Sequence, residues 1–141
     1  MTRVDFYILP DQAEKNRLIL ACRLAEKAFK QGHSIYIHTA SEQSSAQLDE
    51  LMWTFRQGSF VPHQLATADG EPAPVLIGHQ QEAPESQADV LLNMTAEVPL
   101  FFSRFQRVAE LVNQADEIRA QARTRFKFYR DRGYPMHTHN L

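Results

Sequence analysis

The chain has 141 residues, of which 43% are hydrophobic, 10% aromatic and 23% charged. This length is typical of one domain, and so much aliphatic and aromatic area excludes an intrinsically disordered chain. The 15 Lys and Arg residues are outnumbered by 17 Asp and Glu residues, which argues against tight, direct binding to a nucleic-acid backbone because such binding requires a basic domain.

The first half of the chain predicts two units of strand and helix. Residues 4–9 form a short β-type apolar run that ends at Pro10, which is typical of a buried strand. Residues 11–31 are predicted to be helical, and a strand at 34–39 and a helix at 41–55 follow. The apolar residues that recur at helical spacing in the first helix are Leu18, Cys22, Ala25 and Phe29.

The second half of the chain predicts short strands followed by two helices. Pro62 lacks a backbone donor, so the segment around it suits the edge of a sheet or a loop. The predicted elements are an extended segment at 59–63, a turn-rich stretch at 64–73, strands at 75–77 and 90–94, and helices at 101–113 and 116–132.

The alternation of strands and helices favours an α/β fold in one domain, residues 1–141, with a largely parallel central sheet and helices on both faces. Sheets of this type often bind nucleotides at the carboxyl ends of their strands. Here Leu9-Pro10-Asp11 follows the first strand, and neither GxxxxGK[ST] nor GxGxxG occurs. The sequence therefore predicts a Rossmann-like fold without a nucleotide site or a cofactor.

Histidine and cysteine residues give no support to a metal site or a catalytic thiol. His137 and His139 form a His-x-His pair in what looks like a mobile C-terminal tail. Two ligands without a Cys or acidic partner nearby are weak evidence for a metal ion, so none is expected. Cys22 is the single cysteine and has no evident His partner, so we expect a buried structural thiol.

The chain carries no evident membrane or export signal. Its first residues lack the basic and apolar layout of a signal peptide. No apolar run approaches the ~20 residues that are needed to cross a bilayer. We therefore expect a cytoplasmic protein without direct membrane contact.

The last predicted helix carries the strongest functional pattern. Residues 117–132 contain six basic and two acidic residues. On a helical wheel at about 100° per residue, four cations share an arc of about 80°; they are Arg119, Arg123, Lys127 and Arg130. Phe126 lies where this arc meets the apolar side, which suits a partner peptide that offers carboxylates and an apolar anchor. The alternative is a solvated basic face that aids only solubility.

A second candidate surface combines aromatic residues with a sheet edge. Trp53 ends the second predicted helix, and Phe60, Val61 and Pro62 follow in the extended segment. Exposed aromatic side chains beside a sheet edge often mark a protein interface. The alternative is that both aromatic side chains belong to the core.

The sequence resembles the chi subunit family of bacterial DNA polymerase III, and the resemblance covers nearly the whole chain. The most specific matches are Trp53 with the Ser-Phe-Val-Pro-His run at 59–63, and the Ala-Arg-Thr-Arg-Phe-Lys-Phe-Tyr-Arg run at 122–130. Residues 5–9 and 89–93 are also similar to the family. The resemblance implies a fold like that of nucleotide-binding helicase domains, without the nucleotide site.

The resemblance further implies a non-catalytic adaptor in DNA replication. Chi-like proteins pair with the psi subunit, which tethers them to the clamp loader, and hold the acidic C-terminal tail of single-stranded DNA-binding protein. Carried over, the tail pocket would consist of Arg119, Arg123, Phe126, Lys127 and Arg130. The psi interface would consist of Trp53, Phe60, Val61 and Pro62. An accessory helicase is a further implied partner of the Phe60 surface, and contact with DNA would be indirect.

Two rival functions are compatible with the fold class. One is a nucleotide-binding α/β enzyme with a degenerate phosphate loop, and the other is a module that binds DNA directly through the basic C-terminal helix. The missing phosphate loop counts against the first function. The formal net charge of −2 counts against the second.

Overall fold

The computed structural model describes residues 1–66 and 72–141, so part of the turn-rich stretch predicted at 64–73 lies outside the described residues. Within the described residues the chain forms seven strands and three helices. The strands are β1 (Arg3–Ile8), β2 (Ile35–His38), β3 (His63–Leu65), β4 (Val75–Gly78), β5 (Val90–Asn93), β6 (Arg107–Val112) and β7 (Met136–Asn140). The helices are α1 (Glu14–Lys30), α2 (Glu42–Thr54) and α3 (Asp116–Asp131).

All seven strands belong to one parallel sheet in the order β3-β4-β2-β5-β6-β1-β7. Parallel neighbours require crossovers, which cover the faces of the sheet. Helices α1 and α2 pack on one face and α3 packs on the other. This arrangement confirms the predicted α/β fold. None of the helices in the described ranges combines the length and the apolar character that crossing a membrane would require.

Successive side chains of each strand point to opposite faces and so divide the core into two layers. The layer between the sheet and helices α1 and α2 includes Ala21, Cys22, Ala25, Ile35 and Ile37. The layer between the sheet and α3 includes Val4, Phe6, Leu91, Ala122 and Tyr129. Cys22 is 0% exposed, which confirms the predicted buried thiol, and burial raises the pKa of this thiol to about 12.

The helices predicted at 11–31, 41–55 and 116–132 form as α1, α2 and α3, each slightly shorter than predicted. Gly32 and Gly133 follow the ends of α1 and α3 with φ angles of 81° and 78°. Glycine adopts this left-handed conformation without steric cost, so both residues suit the position that follows the end of a helix.

The helix predicted at 101–113 is wrong. A 3-10 turn at Phe102–Arg104 leads into β6, which lies inside the sheet between β5 and β1. A central parallel strand is buried on both faces, so its apolar residues run together instead of alternating. The apolar residues of this run and the phenylalanines before it happen to recur at the spacing of a helix. Phe102 and Phe105 pack in the core layer under α3.

The prediction of a mobile C-terminal tail is also wrong. The last residues form β7, which pairs in parallel with β1 from Val4–Met136 to Ile8–Asn140. The backbone N–H of Val4 donates to Pro135 O at 2.9 Å. An edge strand has only one paired side and can remain polar, so this Met-His-Thr-His-Asn segment lacks the apolar pattern that would predict a strand.

Candidate functional site

A hollow of about 270 Å³ lies on the α3 face of the sheet, and we call it the α3 hollow. Its lining residues are Phe6, Ile8, Val112, Gln114, Arg119, Ala122, Arg123, Phe126 and Thr138. They come from β1, β6 and the loop after it, α3, and β7. Four separate parts of the chain therefore meet at this site.

The topology of the sheet explains the position of the hollow. Strands β1 and β6 are neighbours, yet α1 follows β1 on one face and α3 follows β6 on the other. A crevice opens at the carboxyl ends of strands where crossovers diverge in this way. Ile8 and Val112 are the last residues of the two strands, so the hollow occupies such a crevice.

The floor of the α3 hollow is apolar. The rings of Phe6 and Phe126 meet edge to face, with centroids 5.4 Å apart. Ile8 and Val112 add aliphatic surface, and the small side chain of Ala122 leaves the space open. Phe126 is only half-buried. A partner's aromatic or aliphatic side chain therefore has a place to pack.

The rim of the α3 hollow is cationic. Arg119 and Arg123 both line it, and within residues 1–66 and 72–141 neither guanidinium forms an ion pair with an acid. Arg119 lies in the first turn of α3, where the helix dipole adds partial positive charge. The rim is therefore suited to carboxylate or other anionic groups.

The five residues predicted for this site do not all line the hollow. Arg119, Arg123 and Phe126 come together there. Lys127 and Arg130 are exposed on the same helix, outside the lining. Arg130 pairs with Asp131, with Nη2 and Oδ1 3.2 Å apart. These two cations extend the basic surface beyond the hollow instead of forming its wall.

The sequence did not reveal the residues that hold α3 in place. Arg125 is 4% exposed and pairs through Nε with Glu110 Oε1 of β6 at 2.9 Å. The Tyr129 hydroxyl donates to Glu110 Oε2 at 2.7 Å. Burial raises the pKa of Glu110 despite these partners. In the sequence pattern, Arg125 counted only as one of the six basic residues of 117–132.

A second surface lies beside β3, which forms one edge of the sheet. Trp53 is 57% exposed and Phe60 is 65% exposed, with ring centroids 5.8 Å apart. We call these two residues the Trp53–Phe60 patch. Large aromatic side chains this exposed are unusual on a surface with no binding role.

Val61 and Pro62 differ from the two aromatic residues beside them. Val61 was predicted to contribute to this surface, but it is 1% exposed and packs in the core under α2. Pro62 is half-buried. The imidazole of His63 lies against Trp53 with centroids 4.6 Å apart, and His63 Nδ1 is 2.6 Å from Val61 O. Val61 therefore anchors the segment from inside and leaves Phe60 outside.

Comparison with known proteins identifies the family. The family model described as DNA polymerase III chi subunit, HolC, matches residues 1–137. The chain is 49% identical over 141 residues to the DNA polymerase III subunit chi of Pseudomonas aeruginosa, covering 100% of this chain and 98% of that protein. This chain belongs to the chi subunit family. Membership places it among the accessory subunits of DNA polymerase III, in DNA replication.

Other chi subunits are more distant. Identity is 31% to the chi subunit of Haemophilus influenzae, over 97% of this chain and 96% of that protein. Identity is 30% to the chi subunit of Escherichia coli, over 98% of this chain and 97% of that protein.

Two solved structures share the fold of this chi-family chain. T4 UvsW aligns with a TM-score of 0.65 and 8% identity, over 99% of this chain and 41% of that chain. Domain 2 of the DEAD-box helicase Mss116p, bound to an RNA duplex, aligns with a TM-score of 0.58 and 8% identity, over 97% of this chain and 64% of that chain. At this identity the likeness concerns the fold alone.

In this chi-family chain a cavity of about 400 Å³ lies at the carboxyl ends of β2 and β5, which is a second position where α/β sheets can bind ligands. Its lining contains His38, His79 and Glu97 but neither Lys nor Arg. Burial, with a smaller contribution from nearby His79, lowers the pKa of His38 to about 4, so His38 is neutral near pH 7. This lining therefore offers no Lys or Arg side chain to a phosphate group.

Proposed function

We propose that the chain is a non-catalytic adaptor of the DNA polymerase III holoenzyme. It bridges the clamp loader, through psi, to the acidic C-terminal tail of single-stranded DNA-binding protein. The observation that supports the tail site best is the α3 hollow, which combines an apolar floor with Arg119 and Arg123 at its rim. Contact with DNA is indirect in this proposal.

The chemistry of the hollow suits an acidic peptide that ends in an aromatic residue. The aromatic ring packs on Phe6 and Phe126, and carboxylates pair with the guanidinium groups at the rim. Lys127 and Arg130 lie further along α3, where they attract acidic residues that precede the peptide's end. Both apolar and charged parts of such a peptide therefore find partners on one helix.

The expected affinity is modest. An exposed ion pair contributes about 0.2–1 kcal/mol, so a few pairs and one aromatic contact give a dissociation constant on the order of micromolar or weaker. Salt weakens such pairs, since the Debye length is about 8 Å at physiological ionic strength. Weak single contacts suit a tether, because many tails on one DNA-coating filament raise the effective concentration.

The Trp53–Phe60 patch is the proposed psi interface. Its two aromatic side chains are of the type that forms the centre of protein interfaces. The patch lies beside β3, whereas the hollow includes Thr138 of β7, and β3 and β7 are the opposite edges of the sheet. This separation leaves room for both partners at once. An accessory helicase that uses Phe60 would compete with psi.

Calorimetry with the tail peptide of single-stranded DNA-binding protein tests the tail site. We expect Arg123→Ala to weaken binding about two- to five-fold, since one exposed ion pair contributes at most about 1 kcal/mol. The matched control is Lys15→Ala, because Lys15 is exposed on α1, on the opposite face. Unchanged affinity in Arg123→Ala would remove the hollow from the proposal.

A second peptide controls for non-specific attraction to the basic helix. This peptide keeps the carboxylates but lacks the terminal aromatic residue, so it is expected to bind more weakly than the intact tail. Equal affinity of the two peptides would mean that the apolar floor of the hollow contributes nothing.

A further inference from the structure

A buried cluster of polar and charged side chains connects α3 to β6. The Glu110 carboxylate of β6 is 0% exposed. Its Oε1 accepts a hydrogen bond from Arg125 Nε at 2.9 Å, and its Oε2 accepts from the Tyr129 hydroxyl at 2.7 Å. Asn93 Nδ2 donates to Oε2 at 3.1 Å. Both carboxylate oxygens are therefore satisfied.

Arg125 also connects α3 to the loop that follows β5. Its Nη1 donates to the carbonyl oxygen of Ala96 at 2.9 Å, and Asn93 Nδ2 donates to the carbonyl oxygen of Glu97 at 3.1 Å. One guanidinium thus links α3 to β6 and to this loop. The links form on the inner side of α3, whereas Arg119 and Arg123 line the hollow.

Stability alone does not explain this cluster. A buried ion pair often contributes no more to stability than apolar residues of the same volume would, because removing two charges from water is costly. What it does supply is directional geometry, since a guanidinium and a carboxylate pair well in few orientations. Besides Arg125 and Tyr129, both part of the cluster, the buried residue of α3 is Ala122, which is too small to determine how the helix is rotated.

The orientation of α3 determines the shape of the hollow. Phe126 follows Arg125 directly, and Arg123 precedes it by two residues. A shift of α3 by one residue rotates its side chains by about 100°. Such a rotation would separate Arg125 from Glu110 and would turn Phe126 and Arg123 away from the hollow. The buried pair and the arrangement of the hollow therefore depend on the same rotation.

We propose that Arg125 and Glu110 are positioning residues of the α3 hollow, and that their buried pair sets the rotation of α3 that brings Arg119, Arg123 and Phe126 together. Neither residue touches the bound peptide. The identity of that peptide, acidic with an aromatic end, rests on the proposed function. The positioning role itself concerns only the geometry of the hollow.

The test replaces the cluster by apolar residues of similar volume in the triple variant Glu110→Leu, Arg125→Met, Tyr129→Phe. We expect the variant to fold and to bind the tail peptide at least about tenfold more weakly, although every residue that lines the hollow is retained. Trp53 is the single tryptophan and lies in the Trp53–Phe60 patch, so unchanged Trp53 fluorescence reports that the rest of the fold is intact. Parental affinity in the folded triple variant would overturn the proposal.

A measurement without peptide separates this proposal from the proposed function. In the parent protein, nuclear Overhauser contacts between the rings of Phe6 and Phe126 report the orientation of α3, because the ring centroids are 5.4 Å apart. We expect these contacts to weaken or vanish in the triple variant. If the parent does not bind the tail, the proposed function fails, and retention or loss of these contacts still decides the positioning role.

Two single variants keep the test decisive if the triple variant does not fold. Arg125→Lys retains the charge but donates from one point instead of from a fork, and Tyr129→Phe removes one hydrogen bond. Each is expected to keep the Trp53 fluorescence of the parent and to bind the peptide about two- to five-fold more weakly. Parental affinity and parental ring contacts in both would overturn the proposal.

Discussion

At the scale of single residues, the buried carboxylate of Asp5 links the three strands at one edge of the sheet through charged partners. Its carboxylate is 0% exposed. Arg107 Nε lies 2.6 Å from Oδ2, while Arg3 Nη2 and His139 Nε2 lie 3.0 and 2.9 Å from Oδ1. Burial alone would raise the pKa of Asp5, but the hydrogen bonds from these three residues lower it overall. One acid thus links β1, β6 and β7.

We expect Asp5→Asn to lower the free energy of unfolding by about 1–2 kcal/mol at pH 7, because Arg107 and Arg3 lose a charged partner and remain partly solvated. In the folded protein the pKa of Asp5 lies below its usual value of 3.8. Its contribution is therefore complete above that value and is lost as pH falls through the lower folded pKa. Urea denaturation of both proteins between pH 7 and pH 3 measures this difference.

The Asp5→Asn curve is expected to approach the parental curve below about pH 4. A constant difference down to pH 3 would contradict the charge argument. Asp131→Asn serves as the control because Asp131 is exposed, and surface substitutions usually change stability by less than about 0.5 kcal/mol.

At the scale of elements, burial decides which parts of the fold the sequence predicts. Helices α1, α2 and α3 each have one buried and one exposed side, so their periodicity is visible. Strand β6 is buried on both faces, and its continuous apolar run was mistaken for part of a helix. Strand β7 was missed because it is a polar edge strand. Backbone pairing with β1 stabilises it, and its side chains show no apolar pattern. Both errors follow from position in the sheet, which local periodicity does not contain.

Deletion of residues 136–141 tests the importance of β7. We expect the free energy of unfolding to fall by at least about 2 kcal/mol, since several backbone hydrogen bonds to β1 are lost and each contributes about 0.5–1.5 kcal/mol. Binding of the tail peptide should weaken as well, because Thr138 lines the α3 hollow. Thermal melting and calorimetry measure the two effects.

The control for this deletion is His137→Ala, since His137 is an exposed residue of β7. It is expected to leave both stability and peptide binding unchanged. A deletion protein with the melting temperature of the parent would mean that β7 adds nothing to the fold.

At the scale of the whole molecule, the sequence predicted the residues that α3 contributes to the candidate site but not those that the strands contribute. Helical spacing placed Arg119, Arg123 and Phe126 on one side of α3, and these three do line the hollow. Its remaining wall comes from Phe6, Ile8, Val112 and Thr138, which are distant in sequence and meet only through the strand order. No local pattern contains that order. The Glu110–Arg125 pair could not be predicted for the same reason.

The separation of the two surfaces makes independent binding the decisive test of an adaptor. The α3 hollow and the Trp53–Phe60 patch share no residue and lie toward opposite edges of the sheet. Free-energy changes at two sites that share no contacting residue usually add, to within about 0.5 kcal/mol. We therefore expect the dissociation constant of the tail peptide to change by less than about two-fold when psi is saturating.

Phe60→Ala should weaken psi binding at least about tenfold, as expected for a central aromatic residue, without affecting the tail peptide. Arg123→Ala should weaken binding of the tail peptide about two- to five-fold without affecting psi binding. Calorimetry of both ligands on both variants measures this, and loss of peptide binding in the presence of psi would mean that the chain binds its partners in turn and does not bridge them.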